Sequence, residues 1–218
     1  MKFRFIDSPK LSAKANMDFD KSLVENFDDT PIFRLYSWGK DSFTIGRFQK
    51  LEDIPDIKKF GNNYAKRITG GGLLLHGYDI SYSILLPIDL LGSKNVKQSY
   101  EYICSFILNF YKKLGLHVEY AKDIDLNLSK SFFCQEGFEA YDMICRGKKL
   151  GGNAQKRTKN LIFQHGSIPI KYDQREFSGH SLEEFGINLS EEKAKKLLKK
   201  NFKEIFIVNL DNILSDLK

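Results

Sequence analysis

The sequence predicts an α+β fold, with a mostly antiparallel or mixed sheet packed by a few helices. Three observations predict it. Runs that alternate apolar and polar residues outnumber runs with helical spacing. The helical runs fall between groups of strands rather than after every strand, which argues against a doubly wound nucleotide fold. The 218 residues, 42% hydrophobic and 13% aromatic, supply a core that needs no disulfide or metal. The expected organisation is a single domain over residues 1–218, with 190–218 as a helical C-terminal extension.

Phe3 to Ile6 alternates around Arg4 and reads as a short strand. Ala15 to Glu25 carries Met17, Leu23 and Val24 at helical spacing, and Pro31 resets the chain. Ile32 to Trp38 and Ser42 to Phe48 both alternate. The short Gly39-Lys-Asp41 segment between them predicts a β-hairpin. A third strand covers Asn63 to Thr69. After the glycines, Asp79 to Leu86 resumes as a strand that ends at Pro87.

Asn95 to Leu114 is the strongest helix. Val96, Tyr100, Ile103, Cys104, Ile107, Phe110, Tyr111 and Leu114 repeat on one face, and Gly115 is placed to end it. His117 to Tyr120, Phe138 to Cys145 and Leu161 to Ile170 read as strands. Gly147 to Lys159, rich in lysine and small residues, reads as a loop. From Ser190 the tail is helical, with a short strand at Ile205 to Val208.

The net charge of +6 suits acidic partners. The densest lysine cluster, Lys193 to Lys200, lies on a helix and reads as a solvated face; with no nucleic-acid motif, nucleic acid is not an expected partner. Three cysteines without a CxxC pair argue against zinc or a redox motif and fit a reducing compartment. No stretch is long and apolar enough to span a membrane, so no membrane partner is expected and the location is read as cytoplasmic.

The segment Lys66-Arg-Ile-Thr-Gly-Gly-Gly-Leu-Leu-Leu-His76 is the first with chemical content. Gly70, Gly71 and Gly72 let the backbone approach a ligand, and successive N–H groups can hold an anion. Arg67 beside them can hold a carboxylate or phosphate. Taken alone, the run reads first as a turn that needs glycine for shape. It lacks the Gly-Lys-Ser/Thr of a P-loop.

Gly147-Lys-Lys-Leu-Gly-Gly-Asn-Ala-Gln155 is the second such segment, with Lys149 as the charge; a solvated hairpin tip reads equally well. Cys104 and Cys145 have the spacing of packed core thiols. Cys134 lies among turn residues in Phe132-Phe-Cys-Gln-Glu-Gly137, where a thiol is reachable, although position alone does not make it a nucleophile. His76 and His165 lie near the two glycine segments and serve either a substrate carbonyl or the structure.

Together these segments resemble the lipoate–protein ligase and octanoyltransferase superfamily, which includes biotin–protein ligases. Asn16-Met-Asp-Phe-Asp20, Phe33 to Trp38 with Phe43 to Gln49, Lys66 to His76 with Tyr82 to Pro87, and Lys148 to Gln155 with Phe163 to Ile168 carry the match, in that order. The resemblance implies the biotin/lipoate-ligase-like catalytic domain, a central mixed, largely antiparallel sheet flanked by helices. It places Lys149 on the active-site lysine. Arg67, Gly70, Gly71, Gly72 and His76 would line the pocket with Gly152, Asn153, Ala154, His165 and Gly166. Gly77 stands where an acid often follows the signature histidine, with Asp79 nearby. Gly151 and Asn153 also depart from the commoner residues.

Cys134 stands fifteen residues before Lys149, which resembles the cysteine-dependent octanoyltransferases of the LipM type. That likeness implies transfer of an octanoyl or lipoyl group from acyl-carrier protein, through a thioester on Cys134, to a lysine of a lipoyl domain or H-protein-type acceptor. Such a transfer requires no cofactor. The alternatives are an ATP-dependent lipoate–protein ligase, which would use ATP and Mg²⁺, and a lipoyl amidotransferase acting between carrier proteins.

Overall fold

The computed structural model describes residues 2–92, 94–129, 131–172 and 180–207. Among these residues, ten strands and three α-helices follow one another as β1 (Arg4–Leu11), α1 (Ala13–Glu25), β2 (Ile32–Trp38), β3 (Ser42–Ile45), β4 (Asn63–Lys66), β5 (Leu74–Leu75), β6 (Asp79–Pro87), α2 (Val96–Lys113), β7 (Glu119–Tyr120), β8 (Met143–Cys145), β9 (Lys148–Arg157), β10 (Leu161–Pro169) and α3 (Glu191–Phe202). The fold is α+β, as the alternation and helix placement predict. A seven-stranded sheet runs β1-β2-β6-β10-β9-β8-β7, and a three-stranded sheet runs β4-β3-β5. Among the strand pairs of the described residues, β1–β2 and β3–β4 are parallel and the rest antiparallel.

The helix boundaries follow from local chemistry. Ser12 caps α1 by accepting from the Ala15 N–H. Asn95 and Gln98 form a reciprocal capping box on α2, which satisfies two otherwise orphaned donors. Gly115 takes φ +80°, the left-handed conformation that ends a helix with no Cβ penalty. Ser190 caps α3.

The main core lies between the large sheet and α2 with α3. Phe33 stacks on Phe202 at 4.0 Å, and Phe106 meets Phe33 edge to face at 5.5 Å. A separate cluster of Phe43, Ile45, Phe60, Leu73, Leu75 and Phe133 belongs to the small sheet. A third cluster, Leu23, Ile32, Leu85, Leu161 and Phe163, joins α1 to the large sheet.

Five expectations are corrected. Ile32–Trp38 and Ser42–Phe48 do not form a hairpin. β2 has β1 on one side and β6 on the other, so it offers no edge to β3. The chain instead crosses at Gly39, whose N–H donates to Leu11, and β3 pairs with β4 and β5. Gly147–Lys159 is not a loop. Lys148–Arg157 is a strand held by β10, because pairing with a buried neighbour overrides a weak local preference.

The strand expected over Phe138–Cys145 is reduced to Met143–Cys145. Residues 203–207 form a π-helical turn rather than a strand, with Phe206 packed in the main core; Val208 and the rest of the expected extension lie outside the described residues. Within the lysine cluster, Lys195 is buried against the Ser8 carbonyl and is not part of a solvated face.

Candidate active site

One cavity is bordered by every residue singled out in the sequence: Arg67, the glycines 70 to 72, His76, Cys134, Lys149, Gly152, Asn153, Ala154, His165 and Gly166. Backbone hydrogen bonds join its two halves. The Leu73 N–H donates to the Phe132 carbonyl at 2.7 Å, and the Cys134 N–H donates to the Leu73 carbonyl at 2.7 Å. The glycine run is thus stitched to the turn that carries the thiol. A Cβ on Gly72 would lie 2.7 Å from the Phe132 oxygen and 3.0 Å from the Cys134 nitrogen, so only glycine permits this approach.

Lys149 enters from β9. Its Nζ donates to the Cys134 carbonyl at 2.5 Å and to the Gly137 carbonyl at 2.9 Å, and pairs with Asp142 at 2.5 Å. Its three donors are therefore engaged. A register shift between β8 and β9 places Asp142, just before Met143, against this ammonium. Gly152 leaves this space open: a Cβ there would meet Asp142 at 3.1 Å, the Lys149 Cε at 3.5 Å and the Cys134 Sγ at 3.6 Å. Thiol, ammonium stem and carboxylate surround one small space.

Cys134 is half-buried. Burial pushes its thiol above the ordinary value, against the pull of Lys149 and Arg67. Burial also raises the Asp142 carboxyl, with Lys149 opposing it.

Arg67 does not extend a free fork into the cavity. Its NH1 donates to Thr44 Oγ1 at 2.8 Å, and its NH2 donates to the carbonyls of Gly70 at 3.2 Å and Gly72 at 2.7 Å. It shapes the glycine run by holding two of its carbonyls. His76 is equally committed. Its ring bonds Asp79 through Nδ1 at 2.9 Å and Thr44 through Nε2 at 2.9 Å, and stacks on Trp38 at 3.7 Å. Asp79, held ionised, can only accept, so Nδ1 of His76 carries the proton toward it and Nε2 meets the Thr44 hydroxyl. The acid two residues after Gly77 thus meets this histidine directly.

His165 bonds Thr69 Oγ1 at 2.6 Å and faces Asp20 at 3.8 Å. Burial lowers His165, opposed by Asp20. Asp20 is pulled up by its own burial, yet His165 and Arg34 hold it below the ordinary carboxylate value. Arg34, fully buried, donates to Asp20 at 2.7 Å and to the Asn16 side chain at 2.7 Å. Ala154 pairs with His165, and Gly166 with Asn153, across β9 and β10.

Sequence reasoning gave no role to Asp142, Asp20, Thr44, Thr69 or Trp38. One signal existed for Asp20: Asn16 and Asp20 are one helical turn apart, on a face that otherwise carries apolar residues. Nothing in the spacing pointed to Asp142.

The model of the lipoyl protein ligase A/B catalytic domain matches residues 12–214. An octanoyltransferase LipM of Anoxybacillus flavithermus is 32% identical over 214 residues, covering 92% of this chain and 75% of its own. A crystal structure of lipoate-protein ligase A bound with ATP superposes with a TM-score of 0.77 at 21% identity, covering 94% of this chain and 85% of that one. A putative lipoate protein ligase from T. acidophilum with bound lipoic acid gives 0.75 at 21% identity, covering 94% and 86%. At these identities the structural likeness is one of fold.

Proposed function

We propose, from the premise that this chain belongs to the lipoyl protein ligase A/B catalytic domain family, that it is an octanoyl- or lipoyl-transferring enzyme that works through a thioester on Cys134. The observation that carries this reading is the shared space at Gly152, where the Cys134 thiol, the Lys149 stem and the Asp142 carboxylate meet. A ligase that activates a free acid has no use for a thiol there.

In the first step the Cys134 sulfur attacks the carbonyl carbon of an acyl thioester, and the donor's thiol leaves. The thiol proton passes to the departing sulfur, with Asp142, which borders the same space at Gly152, as the carboxylate to carry it. Lys149 and Arg67 favour the thiolate electrostatically. In the second step the neutral amine of an acceptor lysine attacks the acyl-enzyme. An amide forms, and Cys134 regains its proton. The donor would be acyl-carrier protein, and the acceptor a lipoyl domain or H-protein-type protein. Both are expected to be acidic, and the +6 charge suits encounter with them.

The test is mass spectrometry after incubation with octanoyl-acyl-carrier protein. An octanoyl adduct on Cys134 is expected, and Cys134→Ala should abolish transfer. Full activity in that variant would sink the covalent route.

A second reading, an ATP-dependent lipoate ligase, is favoured by one observation. The N–H groups of Gly70, Gly71 and Gly72 donate to no backbone or side-chain acceptor among the described residues, which suits a phosphate as well as an oxyanion. Pyrophosphate release from ATP, Mg²⁺ and free lipoate would favour it. An amidotransferase would be recognised by its preference for an acylated carrier protein as donor.

A further inference from the structure

The mouth of the cavity carries a feature that the chemistry at Cys134 does not use. The Gln49 N–H donates to the Gly46 carbonyl at 3.0 Å, and the Gly46 N–H donates to the Gln49 Oε1 at 3.0 Å, which closes residues 46–49 into a turn. A Cβ on Gly46 would lie 1.9 Å from the Gly71 carbonyl oxygen, so this turn rests directly on the glycine run. Gly71 is exposed and borders the cavity, which places the mouth there. The Gln49 Nε2 donates to the Phe132 carbonyl at 3.0 Å and ties the turn to the one that carries Cys134. Each turn holds a phenyl ring out to solvent: Phe48 is 81% exposed and Phe132 51%. Single exposed apolar residues are ordinary, but two on adjoining turns at a cavity mouth form a patch that a partner can cover.

Charge surrounds this patch. The Arg47 guanidinium lies 5.3 Å from the centre of the Phe48 ring, and Lys50 is exposed beyond it. Glu139 is exposed and also borders the cavity. Its backbone is fixed: its N–H donates to the Asp142 Oδ2 at 2.7 Å, and its carbonyl accepts from the Asp142 N–H at 2.9 Å. Its carboxylate makes no hydrogen bond or ion pair among the described residues. A mounted anion without a partner, at the mouth of a site that takes an amine, complements an incoming ammonium.

We propose that Phe48 and Phe132 form a lip that seats the lysine-bearing tip of the acceptor protein, with Glu139 meeting the lysine's ammonium as it enters. The proposal rests on the reading that Cys134 passes its acyl group to a protein lysine. Reach selects the acceptor over the donor. A lysine extends only as far as its four-carbon stem, so the acceptor's main chain must come right up to the mouth. Phe132 lies two residues from Cys134, a span of at most about 7 Å, so a body that close covers the lip. A carrier protein that presents its thioester on a long flexible arm can deliver the acyl group while standing off. Arg47 and Lys50 suit the acidic surface expected of the acceptor around its lysine.

The experiment separates the two half-reactions. Cys134 is loaded from S-octanoyl-N-acetylcysteamine, and loss of the octanoyl adduct is followed by intact mass with either a folded lipoyl domain or Nα-acetyl-lysinamide as the amine. In Phe48→Ser, the lipoyl-domain concentration for half-maximal transfer should rise about tenfold, the equivalent of about 1.4 kcal/mol. Loading and transfer to the small amine should stay at the wild-type rate, because the ring is exposed and supports no core. Phe48→Leu, which keeps an apolar side chain, should recover most of the loss. Glu139→Gln should raise the same concentration several-fold at low salt, and the difference should shrink at about 1 M salt, where the Debye length is about 3 Å. An unchanged half-maximal concentration in Phe48→Ser overturns the lip, and so does an equal slowing with the small amine. Slower loading from octanoyl-acyl-carrier protein, with transfer to the lipoyl domain unaltered, would assign the lip to the donor and overturn the proposal. No adduct on the wild-type protein sinks the covalent reading itself, and the lip with it.

Discussion

Lys149 holds the carbonyl oxygen of Cys134 at 2.5 Å, so the ammonium grips the backbone on which the thiol is mounted. The same ammonium pairs with Asp142 at 2.5 Å, with both side chains 5% exposed. Position of the thiol and neutralisation of a buried carboxylate therefore depend on one residue.

Lys149→Met should destabilise the fold by about 3–5 kcal/mol, because it leaves Asp142 enclosed without its cation. Lys149→Met with Asp142→Leu should recover part of that loss, since the stranded charge is gone. Urea unfolding of the three proteins measures both effects. A loss below about 1 kcal/mol for the single variant would remove the pair from the structural account.

Site-resolved alkylation of Cys134 by iodoacetamide should reach half its limiting rate above about pH 8.5, the ordinary cysteine value. Burial outweighs the two cations that pull the thiol down. Arg67→Met should move the midpoint further up, because one of those cations is lost. A midpoint below the ordinary value in the wild type would contradict this balance.

Stability should fall as pH drops below about 6.5, the pKa of a free histidine. His165 is held neutral in the folded protein, its value lowered by burial. The unfolded chain takes up that proton first, so the contribution is complete above the unfolded value. It is lost as pH falls through the folded one. One proton gives a slope of at most about 1.4 kcal/mol per pH unit. Thermal melts from about pH 7.5 to about pH 5.5 should show a flatter profile for His165→Gln than for the wild type. Identical slopes would assign the acid sensitivity elsewhere.

Gly46→Ala should destabilise the protein by at least about 1–3 kcal/mol, the usual cost of overpacking. A Cβ at residue 46 would lie 1.9 Å from the Gly71 carbonyl oxygen, so the glycine run must move. Gly70→Ala is the comparison, since a Cβ there meets nothing within 4 Å. Its melting temperature should stay close to the wild type. Equal losses in the two variants would mean that the run yields without cost.

The α+β class, the long helix at Val96–Lys113 and the strands Ile32–Trp38 and Asp79–Pro87 were legible because periodicity is a local property. The strand Lys148–Arg157 was not. Lysine, glycine, asparagine and glutamine give no strand signal, and only pairing with Leu161–Pro169 extends the backbone there. The hairpin reading failed for a related reason. Alternation marks a strand but does not name its neighbour, and β2 was already flanked on both sides.

The sequence by itself named part of the cavity's border: the glycine run, Cys134, Lys149, His76 and His165 all lie on it. Their types and order carried that information. Only the tertiary structure decided what each does there. Arg67 and His76 turn inward to hold glycine carbonyls and a threonine, and Asp142 reaches Lys149 through a register shift. The physical reason is that a hydrogen bond or ion pair depends on distance and direction between groups far apart in the chain. A residue's identity sets what it can donate or accept, and the fold sets to whom.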